Sequence, residues 1–164
     1  MQTPTWIRLL SPILFLSYTS FGQSVNAYGF FAPGQLRLEG DSTTALHTGG
    51  GFKYISSSGL GLGAEVGIAG PSEGFGASYV GLFSPNAYFV FSPDRDARVQ
   101  PFFTGGYTRT FSRQARDNMG NFGRGLTYWA SERAGILVEY RHHVGRSDGS
   151  TLQLWTIRLG IAFR

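Results

Sequence analysis

The sequence predicts an all-β fold of eight antiparallel strands, on the evidence of its composition and of its hydrophobic period. Of its 164 residues 24 are Gly and 15% are aromatic, and Lys occurs once, a composition that favours strands and turns over helices. After the first 25 or so residues, apolar residues alternate with small or polar ones, which is the period of a strand. The length favours one domain, and no later stretch is apolar for the roughly 18 residues that a membrane-spanning helix needs.

The composition also excludes several functional classes. The chain has no Cys, which excludes thiolate zinc sites, redox CxxC motifs, cysteine nucleophiles and disulfides. The formal net charge is +4, but the Arg residues are scattered singly and form no basic patch, so we expect no nucleic-acid partner. Neither Gly59–Gly63 nor Gly120–Gly125 matches a phosphate-binding loop, and we expect no cofactor.

The first 22 residues have the pattern of a signal peptide. One positive charge, Arg8, precedes the apolar run Leu9–Leu16, which is too short to anchor a chain in a bilayer. Small residues follow at Ser20 and Gly22, so we expect cleavage after Gly22, with a second possible site after Ala27. The sequence therefore predicts a signal peptide over residues 1–22 and one domain over residues 23–164.

Eight runs of alternating residues are separated by segments rich in turn residues. Short connections at 56–58, 92–97 and 131–132 alternate with longer polar ones at 34–42, 70–76, 112–118 and 145–149, which we call the outer loops. The predicted strands are residues 26–33, 43–55, 59–69, 76–92, 98–111, 119–130, 132–144 and 150–164.

Each clear strand has one large apolar face and one face of Gly and isolated charges. Leu60, Leu62 and Val66 alternate with Gly61, Gly63 and Glu65, and Ile157 and Leu159 flank Arg158. A soluble sandwich or a lipocalin-like barrel would turn Leu62 and Ile157 inward, whereas a membrane barrel turns them outward. Alternation alone leaves both arrangements open.

Glycine favours the membrane barrel. It packs poorly on an exposed sheet surface, but it makes room for long side chains in the narrow lumen of eight strands. The predicted fold is therefore an eight-stranded antiparallel up-and-down transmembrane β-barrel. Charges in such a lumen must pair with one another. The expected lumen network is Lys53, Glu65, Glu139, Arg141 and Arg158, with Glu139 and Arg158 on adjacent strands as the first candidate pair. Solvated charges on a soluble sandwich are the alternative.

Aromatic residues near the predicted strand ends are typical of the girdles at membrane interfaces. One residue conflicts with this pattern, because Arg124 falls on the apolar face of Phe122 and Leu126. We expect Arg124 either near the outer rim or out of phase. The expected girdle residues are Phe30, Phe31, Phe52, Tyr54, Phe89, Phe91, Phe102, Phe103, Tyr107, Phe111, Tyr128, Trp129 and Tyr140.

The last strand resembles the assembly signal that ends Gram-negative outer-membrane barrels, with an additional Arg164 after Phe163. Its alternating residues are Trp155, Ile157, Leu159, Ile161 and Phe163. With the segments Tyr88–Phe91, Pro101–Tyr107 and Glu139–Arg141, the whole of 23–164 is similar to small outer-membrane proteins with an OmpA-like or opacity-type β-barrel domain. The resemblance implies an outer-membrane location at the cell surface, outer-membrane lipids and the barrel assembly machinery as partners, and lipopolysaccharide as a further candidate.

A possible catalytic set lies in the last predicted outer loop. Because lipid A deacylases have this fold, His142, His143, Ser147 and Asp148 are candidates for a lipid-modifying acyl hydrolase, although the spacing fixes no geometry. A metal pair of His142 and His143 is rejected, since adjacent strand residues point to opposite faces. The basic loop 112–118 is a candidate contact for lipopolysaccharide phosphates, or a solvated loop.

The expected function is a monomeric outer-membrane barrel with a structural or surface-interaction role, without catalytic, cofactor or metal residues. An open diffusion pore is not expected, since eight strands leave almost no channel. The two alternatives are a lipid A acyl-hydrolase-like barrel enzyme and a secreted, soluble, lipocalin-like binder.

Overall fold

A computed structural model describes residues 24–75, 78–112, 117–147 and 150–164 of the chain. The predicted signal peptide, residues 1–22, lies outside the described residues. Within the described ranges, no helix is long and apolar enough to cross a membrane. The strands are β1 Ser24–Leu38, β2 Asp41–Ile55, β3 Leu60–Pro71, β4 Val80–Val90, β5 Val99–Phe111, β6 Asn118–Trp129, β7 Ala134–Ser147 and β8 Ser150–Phe163.

The eight strands close into one antiparallel up-and-down barrel, as the sequence predicts. Each strand pairs with its neighbours in the chain, and β1 pairs with β8, for example Ala27 with Phe163. Because closure pairs every strand on both sides, the barrel has no free sheet edge.

The side chains alternate between lumen and outer wall in the predicted phase. On β3 the exposed fractions of Leu62 and Val66 are 70% and 62%, whereas that of Glu65 is 2%. On β8 Leu159 is 54% exposed and Arg158 is fully buried. The outer wall is therefore apolar and the lumen holds the charges, which contradicts the soluble-barrel alternative with Leu62 and Ile157 inside.

The two ends of the barrel differ. At the terminal end, where residues 24 and 163 lie, the connections are 56–59, 91–98 and 130–133. At the opposite end, the loop end, they are 39–40, 72–79, 112–117 and 148–149. The turn of Glu39 and Gly40 has φ angles of 54° and 98°, which is the positive-φ pair of a tight hairpin turn.

The prediction of four long outer loops is wrong at two positions. Most of 34–42 belongs to β1 and β2, and the described part of 145–149 belongs to β7. The reason is that the apolar and polar faces of the strands exchange sides near the loop end, where Leu36 faces inward and the polar Gln35 and Arg37 face outward. Polar residues in these segments therefore lie on the outer face of continuing strands.

The prediction of the aromatic girdles is also wrong at three residues. Phe30, Phe102 and Trp129 point into the lumen, with exposed fractions of 5%, 2% and 2%. Each directly precedes or follows an aromatic residue that faces outward, and in a strand such neighbours point to opposite sides. The indole Nε1 of Trp129 donates a hydrogen bond to Oε1 of Gln100 at 2.8 Å, which satisfies its polar group inside the barrel.

Candidate functional site

A layer of hydrogen-bonded polar side chains crosses the lumen at mid-height, and we call it the polar layer. Apolar residues lie on both sides of it. The cluster toward the terminal end includes Val90 and Leu137, and we call the other the loop-end cluster, formed by Ala45, Ala69, Leu82, Met119 and Leu154. The polar layer comprises Tyr28, His47, Glu65, Ser84, Asn86, Tyr88, Thr108, Asn121, Glu139, Arg141, His143 and Arg158, which come from all eight strands.

Arg158 of β8 is at the centre of this layer. Its Nη1 donates to Oε2 of Glu65 on β3 at 2.7 Å and lies 3.8 Å from Oε2 of Glu139 on β7. Its guanidinium carbon lies 4.3 Å from the ring centroid of Phe30, a cation–π contact. Tyr28 donates a second hydrogen bond to Oε2 of Glu65 at 3.0 Å. Arg158 therefore joins β8 and its neighbour β7 to β3, which pairs with neither of them.

The second ion pair lies within β7. Nε of Arg141 donates to Oε1 of Glu139 at 2.5 Å. Nη1 of Arg141 donates to the amide oxygen of Asn121 at 2.7 Å and to that of Asn86 at 3.3 Å. Arg141 thereby connects β7 to β6 and across the lumen to β4. A buried charge is tolerated only with such partners, because an unpaired one costs several kcal/mol.

Thr108 and the two buried histidines form the part of the layer nearest the loop end. Nε2 of His143 lies 3.5 Å from Nη2 of Arg158, so it is the acceptor and Nδ1 carries the proton. Nδ1 then donates to Oγ1 of Thr108 at 3.1 Å, and Asn121 donates to the same oxygen at 3.0 Å. Thr108 in turn donates to Ser84 at 2.8 Å, which uses its single proton and both lone pairs.

Lys53 lies on the terminal-end side of the polar layer. It is 4% exposed, and its Nζ lies 4.5 Å from the ring centroid of Phe102 and 5.5 Å from that of Tyr88. Among the described residues, the buried charged side chains are three cations and two carboxylates, a formal sum of 3 − 2 = +1. The aromatic faces next to Lys53 favour this excess positive charge.

All five predicted network residues are thus buried in the lumen, and the structure brings four of them together in ion pairs. Glu139 and Arg158 are register partners, but each has a closer partner, Arg141 and Glu65 respectively. The sequence reasoning missed the neutral members of the polar layer. They alternate in the same phase as the charged ones, so strand parity was the signal that could have found them.

Glycines make room for the layer, as the sequence argument requires. A Cβ on Gly123 would lie 2.9 Å from Oε1 of Glu139 and 3.0 Å from Nε of Arg141. A Cβ on Gly67 would lie 2.9 Å from Nε2 of His47. All three distances are shorter than ordinary Cβ contacts, so the long polar groups occupy space that glycine leaves free.

The two histidines of the candidate hydrolase set point to opposite sides of the barrel wall. His143 is fully buried in the polar layer, whereas His142 faces the outer wall, where its ring centroid lies 5.2 Å from that of Phe122. Asp148 and the side chain of Ser147 lie outside the described residues. Among the described residues, no group of three or more potential metal ligands occurs.

The predicted assembly signal lies on the outer wall of β8. Ile157, Leu159, Ile161 and Phe163 are exposed by 43–56% and face outward beside the half-buried Trp155. Arg164, which follows Phe163, lies with its guanidinium 4.2 Å from the ring centroid of Trp129 and donates to the carbonyl of Glu132 at 2.8 Å. The additional arginine therefore docks on the terminal end of the barrel.

Arg124 is exposed on the outer wall, in the same phase as Phe122 and Leu126. It is paired in register with Phe103 and Tyr140, near the middle of β6, next to the level of Glu139. Of the two expectations, the slipped phase is wrong, and the position near an outer rim is wrong as well.

We predict that Glu139→Gln lowers the free energy of unfolding by about 3–5 kcal/mol, because it removes one charge from a buried pair and leaves Arg141 without its carboxylate. The matched control is Glu73→Gln at an exposed position in the loop 72–79, where we expect a change below about 0.5 kcal/mol. The measurement is reversible urea unfolding in lipid vesicles. Equal effects of the two variants would show that the buried pair contributes nothing.

The chain is similar to solved membrane β-barrels. Neither a protein-family model nor a curated protein matches it. The crystal structure of Neisserial surface protein A (NspA) has a TM-score of 0.69 at 11% identity, covering 87% of this chain and 99% of that one. The N-terminal β-barrel domain of Pseudomonas aeruginosa OprF has a TM-score of 0.60 at 18% identity, with coverage of 87% and 96%. A designed transmembrane β-barrel has a TM-score of 0.50 at 18% identity, with coverage of 84% and 93%.

These similarities concern the backbone, since the identities are far too low to carry site residues from one chain to another. The closed eight-stranded antiparallel barrel agrees with the outer-membrane barrels NspA and OprF. The chain has the fold of the eight-stranded outer-membrane β-barrels.

Proposed function

We propose that this chain is a monomeric outer-membrane β-barrel with a structural or surface-interaction role and no catalytic activity. The observation that carries the proposal is the reversed distribution of side chains, with large apolar residues on the outer wall and ion pairs in the lumen. In water this arrangement would expose a continuous apolar surface far larger than soluble monomers tolerate. In a bilayer the same surface contacts the apolar lipid chains.

The polar layer supports a closed barrel rather than a pore. Hydrogen bonds and ion pairs join strands on opposite sides of the lumen, and apolar residues pack on both sides of the layer. An eight-stranded barrel has an interior just wide enough to be filled by side chains. The barrel then acts as an anchor that displays its loop end at the cell surface.

The loop end carries basic residues suited to outer-leaflet lipids. Arg109 and Arg146 are exposed on the outer wall and flank Asn118 in register on either side of β6. Guanidinium groups bind phosphate with two hydrogen bonds, so this wall fits the phosphates of lipopolysaccharide. Part of the basic loop 112–118, residues 113–116, lies outside the described residues.

Export and assembly complete the proposal. Removal of residues 1–22 by signal cleavage leaves all of β1 intact, whereas cleavage after Ala27 would remove Ser24–Ala27, which pair with β2. The outward-facing residues of β8, which end at Phe163, form the surface that the barrel assembly machinery would recognise. The lipid-modifying alternative is not favoured, because His143 is held inside the polar layer.

The first test is the dependence of folding on detergent or lipid. We expect the chain from Gln23 to fold only with detergent or lipid and to show a compact, faster-migrating gel band that shifts on boiling, because the outer wall needs an apolar solvent. The same preparation diluted into plain buffer is the control. A monodisperse folded protein in plain buffer would contradict the membrane location.

The second test is electrical conductance in planar bilayers. We expect no stable conductance steps from protein whose folding has been verified by gel mobility, because the polar layer fills the lumen. A porin of 16 strands, reconstituted in parallel, is the positive control for insertion and detection. Reproducible single-channel steps would contradict the closed barrel while leaving the membrane location intact.

A further inference from the structure

An apolar cavity opens at the loop end of the barrel, inside the mouth. It has a volume of about 210 Å³ and lies against the loop-end cluster. Its wall includes Leu36, Leu38 and Leu152, of which Leu38 is 42% exposed. An apolar concave surface beside water is the usual form of a small-molecule site.

The cavity exists because the side-chain pattern inverts along the barrel axis. At mid-height the lumen is polar and the outer wall apolar. Near the loop end leucines face inward at 36 and 38, while Arg37 faces outward. Leu152 and Leu154 face inward in the same way. This end is therefore built like a soluble, ligand-binding barrel on top of a membrane barrel.

The lining indicates the chemistry of a ligand. Its apolar members are aliphatic, and no aromatic side chain is among the described residues that form it. Asp117 is the one charged residue of the described lining. An aliphatic wall offers dispersion contacts without stacking, and a lone carboxylate at the mouth disfavours an anionic ligand.

The polar layer closes the cavity on its inner side. The next inward-facing residue after Ala45 is His47, after Met119 it is Asn121, and after Leu154 it is Thr156, the register partner of Arg141 in the polar layer. All three of these polar residues are buried. The cavity is thus a blind pocket of fixed depth and not the entrance of a channel.

We propose that this pocket binds a single uncharged alkyl chain of about eight carbons. The volume exceeds the roughly 150 Å³ of an apolar cavity that holds the six carbons of benzene. In proportion to the volume, the pocket has room for about eight carbons. The chain comes either from a free amphiphile or from the end of a membrane lipid that enters over the rim. The pocket is a site beyond the structural role proposed above.

The test is a titration with 1-alkanols of six to ten carbons, added to the protein in lipid nanodiscs. The readout is the ¹³C-methyl resonance of Met119, which is buried in the loop-end cluster; the chain has two methionines. We expect a saturable shift and an affinity that rises about fourfold per methylene, because each buried methylene contributes a constant transfer free energy. The rise should stop near eight carbons, where the polar layer blocks further entry.

Two matched variants separate pocket binding from partition into lipid. Val80→Phe fills the pocket and should abolish the saturable shift. Val66→Phe makes the same change on the outer wall, where Val66 is 62% exposed, and should leave the titration unchanged. If Val80→Phe fails to give the heat-modifiable band, Ala69→Leu serves the same purpose on β3. An unsaturable shift, or a shift that persists in the filled variant, would overturn the proposal.

The source of the chain is decided by spectra recorded before and after the alkanol is added. Nuclear Overhauser contacts between the Met119 methyl and lipid acyl protons, lost on addition of 1-octanol, would identify a membrane lipid as the source. Saturable octanol binding without such contacts would identify a free amphiphile. Either result supports the alkyl-chain site, and neither depends on whether the barrel conducts ions.

Discussion

The pairing of charges inside a narrow lumen is the constraint on which the rest of the structure depends. Arg141 and Arg158 are fully buried, and each is held by a carboxylate at 2.5–2.7 Å. A buried guanidinium without a partner would cost several kcal/mol, so strand number, closure and register must bring the partners into reach. Glycines such as Gly123 are needed because the long side chains occupy the space above them.

The solvent on the outside of the wall changes along the barrel, and the interior changes with it. Where the outer wall carries Leu62 and Val66, the lumen is polar, as expected for a wall in lipid. Where the outer wall carries Arg37, the interior is aliphatic, as expected for a wall in water. The same two-residue period therefore produces a polar middle and an apolar mouth, and the polar layer bounds the mouth on its inner side.

Strand parity accounts for what the sequence could predict. The period of two assigned the charged residues to one face, and Gly beside isolated charges indicated that this face was the lumen. Strand parity also predicts that Phe30 and Trp129 point inward. The clustering of aromatic residues alone placed them in the girdle instead. Arg124 is a genuine exception to the pattern, because it keeps its phase and remains on the apolar wall.

What could not be predicted depends on closure. Glu65 and Arg158 lie 93 residues apart on strands that are not paired, and they meet only because the sheet curves back on itself. The extension of the strands past the apolar band could not be predicted for a similar reason. The polar residues Gln35 and Arg37 are typical of a loop unless it is known that Leu36 between them faces inward. The pocket at the mouth depends on both effects and has no local signal in the sequence.

The most direct test of this account is a double-mutant cycle on Glu65 and Arg158, with Glu65→Gln, Arg158→Met and the double variant unfolded reversibly in lipid vesicles. We expect a coupling free energy of about 2–3 kcal/mol, since the pair is buried and joins strands across the lumen. A coupling below about 0.5 kcal/mol, as for a solvated surface pair, would contradict the claim that buried charge pairing holds the barrel together.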